Sequence, residues 1–97
     1  MIKVHLEVQP SMAESLGMEA KKDMMFPDGN KSVRDVLNLL SAEYQHFGKF
    51  VFDSEAQKLT GKAIVFINGR SPEPAKGLET RLKDGDVLNF VPLIEGG

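Results

Sequence analysis

Cysteine is absent from the 97 residues, which removes disulfide frameworks, thiolate zinc sites and cysteine nucleophiles together. Any sulfur chemistry must run through another group. No apolar run approaches the roughly 18 residues of a membrane span, and the N-terminus alternates apolar with charged side chains where a secretory leader needs a continuous apolar block. The expectation is a cytoplasmic protein with no membrane partner. Neither sign of charge prevails: twelve Lys and Arg against fourteen Asp and Glu leave a formal net charge of −2, so no nucleic-acid partner is expected. Lys21-Lys22, the only adjacent basic pair, reads as a solvated strand approach. The two histidines, His5 and His46, have no second imidazole at i+4, which favours surface or half-buried roles over metal ligation.

What is present fits one domain, 1–97, burying about 60–65% of its unfolded surface. From Ile2 to Val8, apolar Ile2, Val4, Leu6 and Val8 alternate with Lys3, His5 and Glu7, the pattern of a half-buried strand. Pro10 ends it, and Met12 to Leu16 reads as a short helix closed by Gly17. Met24-Met25-Phe26 is a weaker strand, stopped by the turn residues Pro27-Asp28-Gly29-Asn30. The clearest helix is expected over Val33 to Phe47, with Ser32 and Asp35 forming a capping-box-like start. Val33, Val36, Leu37, Leu40, Tyr44 and Phe47 make its apolar stripe, and Gly48 its stop.

Phe50 and Phe52 alternate like a short strand, before a polar excursion from Asp53 to Thr60. Ala63-Ile64-Val65-Phe66-Ile67 is apolar throughout and bounded by Asn68-Gly69, so it reads as a central strand. Ile64 and Phe66 are expected in one core with Ile2, Val4, Leu6, Val36, Leu37 and Leu40. Pro72 and Pro74 oppose strand pairing nearby, and Asp84-Gly85 launches a last strand from Val87 to Val91. Pro92 is expected to put the end of that strand at or beyond a sheet edge. The order implies an α+β class: a mixed sheet with one main helix packed across it.

Several stretches carry a resemblance. Phe66-Ile67-Asn68-Gly69-Arg70, Leu82-Lys83-Asp84-Gly85-Asp86-Val87, Phe90-Val91-Pro92 and the terminal Gly96-Gly97 resemble the ubiquitin-like sulfur carrier family. Phe26-Pro27-Asp28-Gly29 followed by Ser32-Val33-Arg34-Asp35-Val36-Leu37 resembles its turn into the helix, so the likeness spans nearly the whole chain. It implies a ubiquitin-like β-grasp with a flexible C-terminal diglycine tail. By resemblance the functional atom is the terminal carboxylate of Gly97, which an adenylating activating enzyme charges with ATP and magnesium before conversion to a thiocarboxylate. The monomer itself would bind no cofactor and be no enzyme. The nearest type is the small subunit of molybdopterin synthase, whose further partner is the large synthase subunit or another sulfur-accepting enzyme.

The chemistry asked of the tail is consistent with its residues. Gly97 lacks a Cβ, so an enclosing enzyme can approach its carbonyl from either side, and Gly96 admits backbone angles that let a stalk thread a narrow channel. Ordering such a tail costs about 1–2 kcal/mol per residue, which a docking face must offset. That face is expected from the exposed phase of the last strand, Val91, with Leu93 and Ile94 near its exit. Asp84 and Asp86 read as turn formers rather than metal ligands, and Arg70 and Arg81 as solvated charges.

One departure bears on the pathway. Many molybdopterin-synthase small subunits have an aromatic residue, two prolines and a small residue before the diglycine; this chain has Val91, Pro92, Leu93, Ile94 and Glu95. Inside a closed channel Glu95 must be solvated or paired. Carriers for tungsten cofactor, cysteine, methionine or thiamine synthesis therefore stay open. So do a ubiquitin-like modifier joined through Gly97 to a target amine and a stand-alone binding domain. No nucleophile–base pair, phosphate loop or metal cluster supports an autonomous enzyme.

Overall fold

Alternation in Ile2–Val8 makes β1, which buries Val4, Leu6 and Val8 and turns Lys3, His5 and Glu7 to the other side. The computed structural model describes residues 1–27, 29–70 and 77–93. β1 pairs antiparallel with β2 (Lys21–Phe26) and parallel with the C-terminal strand β6 (Val87–Pro92). β6 pairs antiparallel with β5 (Ala63–Ile67), giving a mixed sheet of order β2-β1-β6-β5. A separate two-stranded ribbon joins β3 (Phe52–Asp53) to β4 (Lys58–Leu59).

The link between β1 and β2 is helical. Helix α1 (Pro10–Leu16) starts where the Gln9 side-chain oxygen accepts the Met12 N–H at 2.8 Å, with Pro10 in the first turn. Gly17 closes it in the left-handed region, at φ 71°, the role expected of it.

Helix α2 (Val33–Glu43) begins with a full capping box. The Ser32 N–H donates to the Asp35 carboxylate at 2.8 Å and the Asp35 N–H donates to Ser32 Oγ at 3.3 Å. The Ser32 backbone bond holds the Asp35 pKa below the ordinary carboxylate value of 3.8. A depressed folded pKa contributes stability that is present above the unfolded value and is lost as pH falls through the folded one. Asp35→Asn, which removes the carboxylate that the Ser32 backbone N–H meets, is therefore expected to cost about 1 kcal/mol in urea unfolding near neutrality and less in acid. A penalty that does not diminish in acid would show that the carboxylate is not the capping group.

The inner face of the sheet meets α2 in one core. Val33, Val36, Leu37 and Leu40 are fully buried with Val4, Leu6, Leu88 and Phe90. Phe47 packs edge-on against Phe90, ring centroids 5.5 Å apart. The segment 80–82 is fixed to the start of α2, Val33 N–H donating to the Thr80 carbonyl at 3.0 Å and Leu82 N–H to the Lys31 carbonyl at 2.8 Å. Among the described residues no helix is long and apolar enough to cross a membrane.

Four expectations need correction. The main helix stops at Glu43, where Tyr44 adopts extended backbone, and the chain resumes as a separate short helix α3 (Phe47–Phe50). Phe50 thus belongs to a helix, with only Phe52 starting a strand. Gly48 lies within α3, where an added Cβ would come 3.2 Å from the Cβ of Ser41 on α2; close approach of two helices explains this glycine. Finally, β5 is an edge strand and β6 an interior one. Pro92 is tolerated because it is the last residue of β6, and the next N–H, that of Leu93, continues the pairing to the Lys62 carbonyl at 2.9 Å.

The phase of β5 also differs from expectation. Ala63 and Val65 are buried and Ile64 and Phe66 lie on the opposite side, while Ile2 only borders the core. A uniformly apolar strand has no phase of its own, and pairing of Val65 with Phe90 and Ile67 with Leu88 imposes one.

Candidate functional site

β6 is held along both sides, and its two ends are fixed by different chemistry. At the start, the Lys3 N–H donates to Asp84 Oδ1 at 2.8 Å and the Gly85 N–H to the Lys3 carbonyl at 2.8 Å. Gly85 sits at φ 87°, a conformation that costs a residue with a Cβ. Asp86 accepts the Lys83 N–H at 2.7 Å and the Asn68 side-chain amide at 3.0 Å, and Asn68 Oδ1 accepts the Val87 N–H at 2.9 Å. The two aspartates are turn formers, as expected; Asp84 ties the turn to β1 and Asp86, through Asn68, clamps the β5 turn to the start of β6.

At its other end, β6 delivers the chain at a defined place. Pro92 faces Ala63 in the register, and the Leu93 N–H reaches the Lys62 carbonyl. Leu93 is 46% exposed. Of the residues expected to serve the tail and its docking, Val91 and Leu93 are placed here; Ile94, Glu95, Gly96 and Gly97 lie outside the described residues. Asp28, Pro72 and Pro74 lie outside them as well.

Outward from the core, the sheet presents a divided face. Strand alternation puts Val87, Asn89 and Val91 of β6 opposite in direction to buried Leu88 and Phe90. Val91 pairs with Ile64 and Asn89 with Phe66, so Ile64, Phe66, Val87 and Val91 form an apolar half, each half-buried. The neighbouring β1–β2 half is polar. His5 Nδ1 lies 2.7 Å from Asp23 Oδ1, and Asn89 Nδ2 donates to Glu7 Oε2 at 2.9 Å across the boundary.

Ile64 and Phe66 were missed as surface residues because their run looks like buried sheet. No polar residue in the run marks which face is left outside the core, so only the register with β6 reveals it.

The groups with displaced pKa values lie elsewhere. Hydrogen bonds to Tyr44 and then Glu43 hold the Lys22 ammonium above the ordinary lysine value, and Asp35 belongs to the α2 cap. Arg81 bonds to the Asn30 side chain, and Arg70 is exposed beside the β5 turn. Among the described residues, no cluster of three or more His, Asp or Glu could hold a metal ion. The arrangement can present a strand terminus and an adjoining apolar surface to another protein.

Comparison with known proteins gives the family context. The model of the ThiS family matches residues 17–97. Small archaeal modifier protein 3 of Haloferax volcanii is 35% identical over 71 residues, 72% of this chain and 74% of that protein. A protein of Archaeoglobus fulgidus named as a candidate sulfur carrier is 46% identical over 33 residues, 34% of this chain and 38% of that relative. The solution structure of small archaeal modifier protein 1 from Methanosarcina acetivorans superposes with a TM-score of 0.77 at 26% identity, covering 100% of this chain and 98% of that one.

Proposed function

The chain belongs to the ThiS family, ubiquitin-like β-grasp sulfur carriers, and from that premise we propose that it carries sulfur as a thiocarboxylate on Gly97. It acts as a cosubstrate rather than a catalyst. The reading assigns it to molybdenum cofactor synthesis, as the small subunit of molybdopterin synthase. The observation that carries it is the strand terminus: β6 is paired with β1 as far as Phe90 and with β5 as far as Pro92, and in the sequence three residues separate Pro92 from the diglycine of the matched region.

Adenylation by a partner using ATP and magnesium turns a poor electrophile into a good one. A carboxylate oxygen of Gly97 attacks the α-phosphorus of ATP and releases pyrophosphate; a hydrosulfide equivalent then adds to the acyl carbon and expels AMP. The thiocarboxylate is the nucleophile delivered to the acceptor enzyme. Every catalytic group in these steps is the partner's, and this chain contributes reach and docking.

The apolar half-face, Ile64, Phe66, Val87 and Val91, with Leu93 at its end, is the docking surface in this reading. Leu93→Asp and Phe66→Asp are each expected to weaken binding to the activating enzyme by about tenfold to a hundredfold, from the roughly 1–3 kcal/mol of burying an unmatched polar group. Circular dichroism should stay unchanged. Calorimetry showing undiminished affinity in both variants would remove the face from the proposal.

Intact mass of the protein after incubation with its host's activating enzyme, ATP and a sulfide donor tests the central step. The expected gain is the difference between one sulfur and one oxygen; no gain sinks it. A second reading rests on the 35% identity to an archaeal modifier protein: the same acyl-adenylate can pass to a lysine amine. Conjugates of target-dependent mass in place of the thiocarboxylate would establish that alternative.

A further inference from the structure

At the end of the sheet where β6 terminates, Met12 and Leu16 of α1, Phe50 of α3 and Pro92 line a groove of about 470 Å³. Met12 and Leu16 are core residues, so the floor is held by the packing beneath it. Its ionisable lining residues are His46, Lys49 and Lys62. All three are basic, in a chain of formal charge −2. Among the described residues none of these side chains has an ion-pair or hydrogen-bond partner, whereas Lys22 is tied to both Glu43 and Tyr44. The α1 wall offers little competition for an anion, because Ser11 Oγ donates to Gln9 Oε1 at 2.6 Å and Ser15 Oγ to the Ser11 carbonyl at 3.1 Å.

We infer that this groove docks an acidic, apolar-anchored peptide segment of a protein partner, an aliphatic side chain seated on Met12, Leu16 and Phe50 and flanking carboxylates meeting Lys49 and Lys62. Charge complementarity selects the occupant. Ammonium groups with no partner among the described residues, set around an apolar floor, reward a segment that supplies carboxylates and an apolar anchor together, and penalise either one alone. A nucleic acid is a poorer match: it needs a basic track and a series of stacking rings, and the lining has one aromatic residue, Phe50.

The groove adjoins the apolar half-face rather than repeating it. Lys62 links the two, its side chain lining the groove and its carbonyl accepting the Leu93 N–H. A partner engaging the chain where it leaves β6 therefore meets this groove too. The inference concerns recognition and does not depend on the sulfur chemistry proposed for Gly97.

A synthetic pentapeptide of alternating glutamate and leucine, titrated into isotope-labelled full-length protein and followed by NMR, tests it. The Met12 and Leu16 methyl signals and the Lys49 and Lys62 amides are expected to shift together. Affinity should fall about tenfold in K49Q/K62Q and fall with added salt, and a peptide with serine for leucine should not saturate. Unchanged signals far from the groove certify the fold of the double variant; the single variant K62Q, with a smaller loss, replaces it if it does not fold. Any of four results overturns the inference: no shifts up to about 5 mM peptide, equal affinity of the lysine variants, shifts centred on Phe66 and Val91 instead, or tighter binding of an oligonucleotide at the same residues.

Discussion

Leu37→Ala is expected to lower the unfolding free energy by about 2–5 kcal/mol. Leu37 is 0% exposed and lies on the buried face of α2 among Val33, Val36 and Leu40. Truncation forfeits the transfer energy of the lost carbons and leaves a cavity that the surrounding structure can fill only in part. The core around it has little slack, because the sheet facing α2 is locked by strand pairing and Phe47 already packs edge-on against Phe90.

A domain of this size has roughly 5–15 kcal/mol in total, so the variant should lose a large share of its stability. Its Tm should drop by about 8–40 °C, at roughly 4–8 °C per kcal/mol. Leu39, two residues along the same helix and 45% exposed, supplies the control: Leu39→Ala should stay within about 0.5 kcal/mol. Urea unfolding of both variants side by side decides the matter. Similar losses for the two would mean that α2 does not present the Leu37 face to the sheet.

That contrast also shows why the buried face of α2 was legible in the sequence and that of β5 was not, although β5 itself was read as a strand. The helix carries its own phase, since its buried residues recur at three- and four-residue steps and Ser32 with Asp35 marks its first turn. β1 is legible for the same reason, its charged residues alternating with its core residues. β5 has no polar residue to mark a face, so only partner register decides that Val65 turns inward and Phe66 outward. The strand order is likewise a property of pairing: nothing in Val87–Pro92 announces that β6 will lie between β1 and β5.

Residues 44–59 were obscure for another reason. Their aromatic residues suit a helix face or a strand equally, and the break at Tyr44 is a tertiary outcome in which the Tyr44 hydroxyl accepts from Lys22 on β2. The candidate site divides in the same way. Val91 and Leu93 were legible as an exposed phase and a strand exit, whereas Ile64 and Phe66, which complete the apolar half-face, required the register of a strand distant in sequence.

Deleting Gly97 should abolish thiocarboxylation while changing unfolding free energy by less than about 0.5 kcal/mol. The buried core among the described residues runs from Val4 to Phe90, and the last backbone bond found there is that of Leu93 to Lys62. Removing the terminal residue therefore takes nothing from that core. Its expected effect is on position: the carboxylate retreats by about 3.3 Å, and even about 1 Å of misplacement can cost on the order of a hundredfold when reacting groups must be aligned. The apolar half-face of Ile64, Phe66, Val87 and Val91 that we propose for docking is untouched, so the truncated protein should still bind the activating enzyme with near-normal affinity. Single-turnover assays with intact-mass detection, run beside calorimetry, separate loss of chemistry from loss of docking. Restoring the residue as Gly97→Ala should recover part of the rate, because length returns while the added methyl crowds the approach to the carbonyl. If the truncated protein formed a thiocarboxylate at the full rate, Gly97 could not be the residue that carries the sulfur.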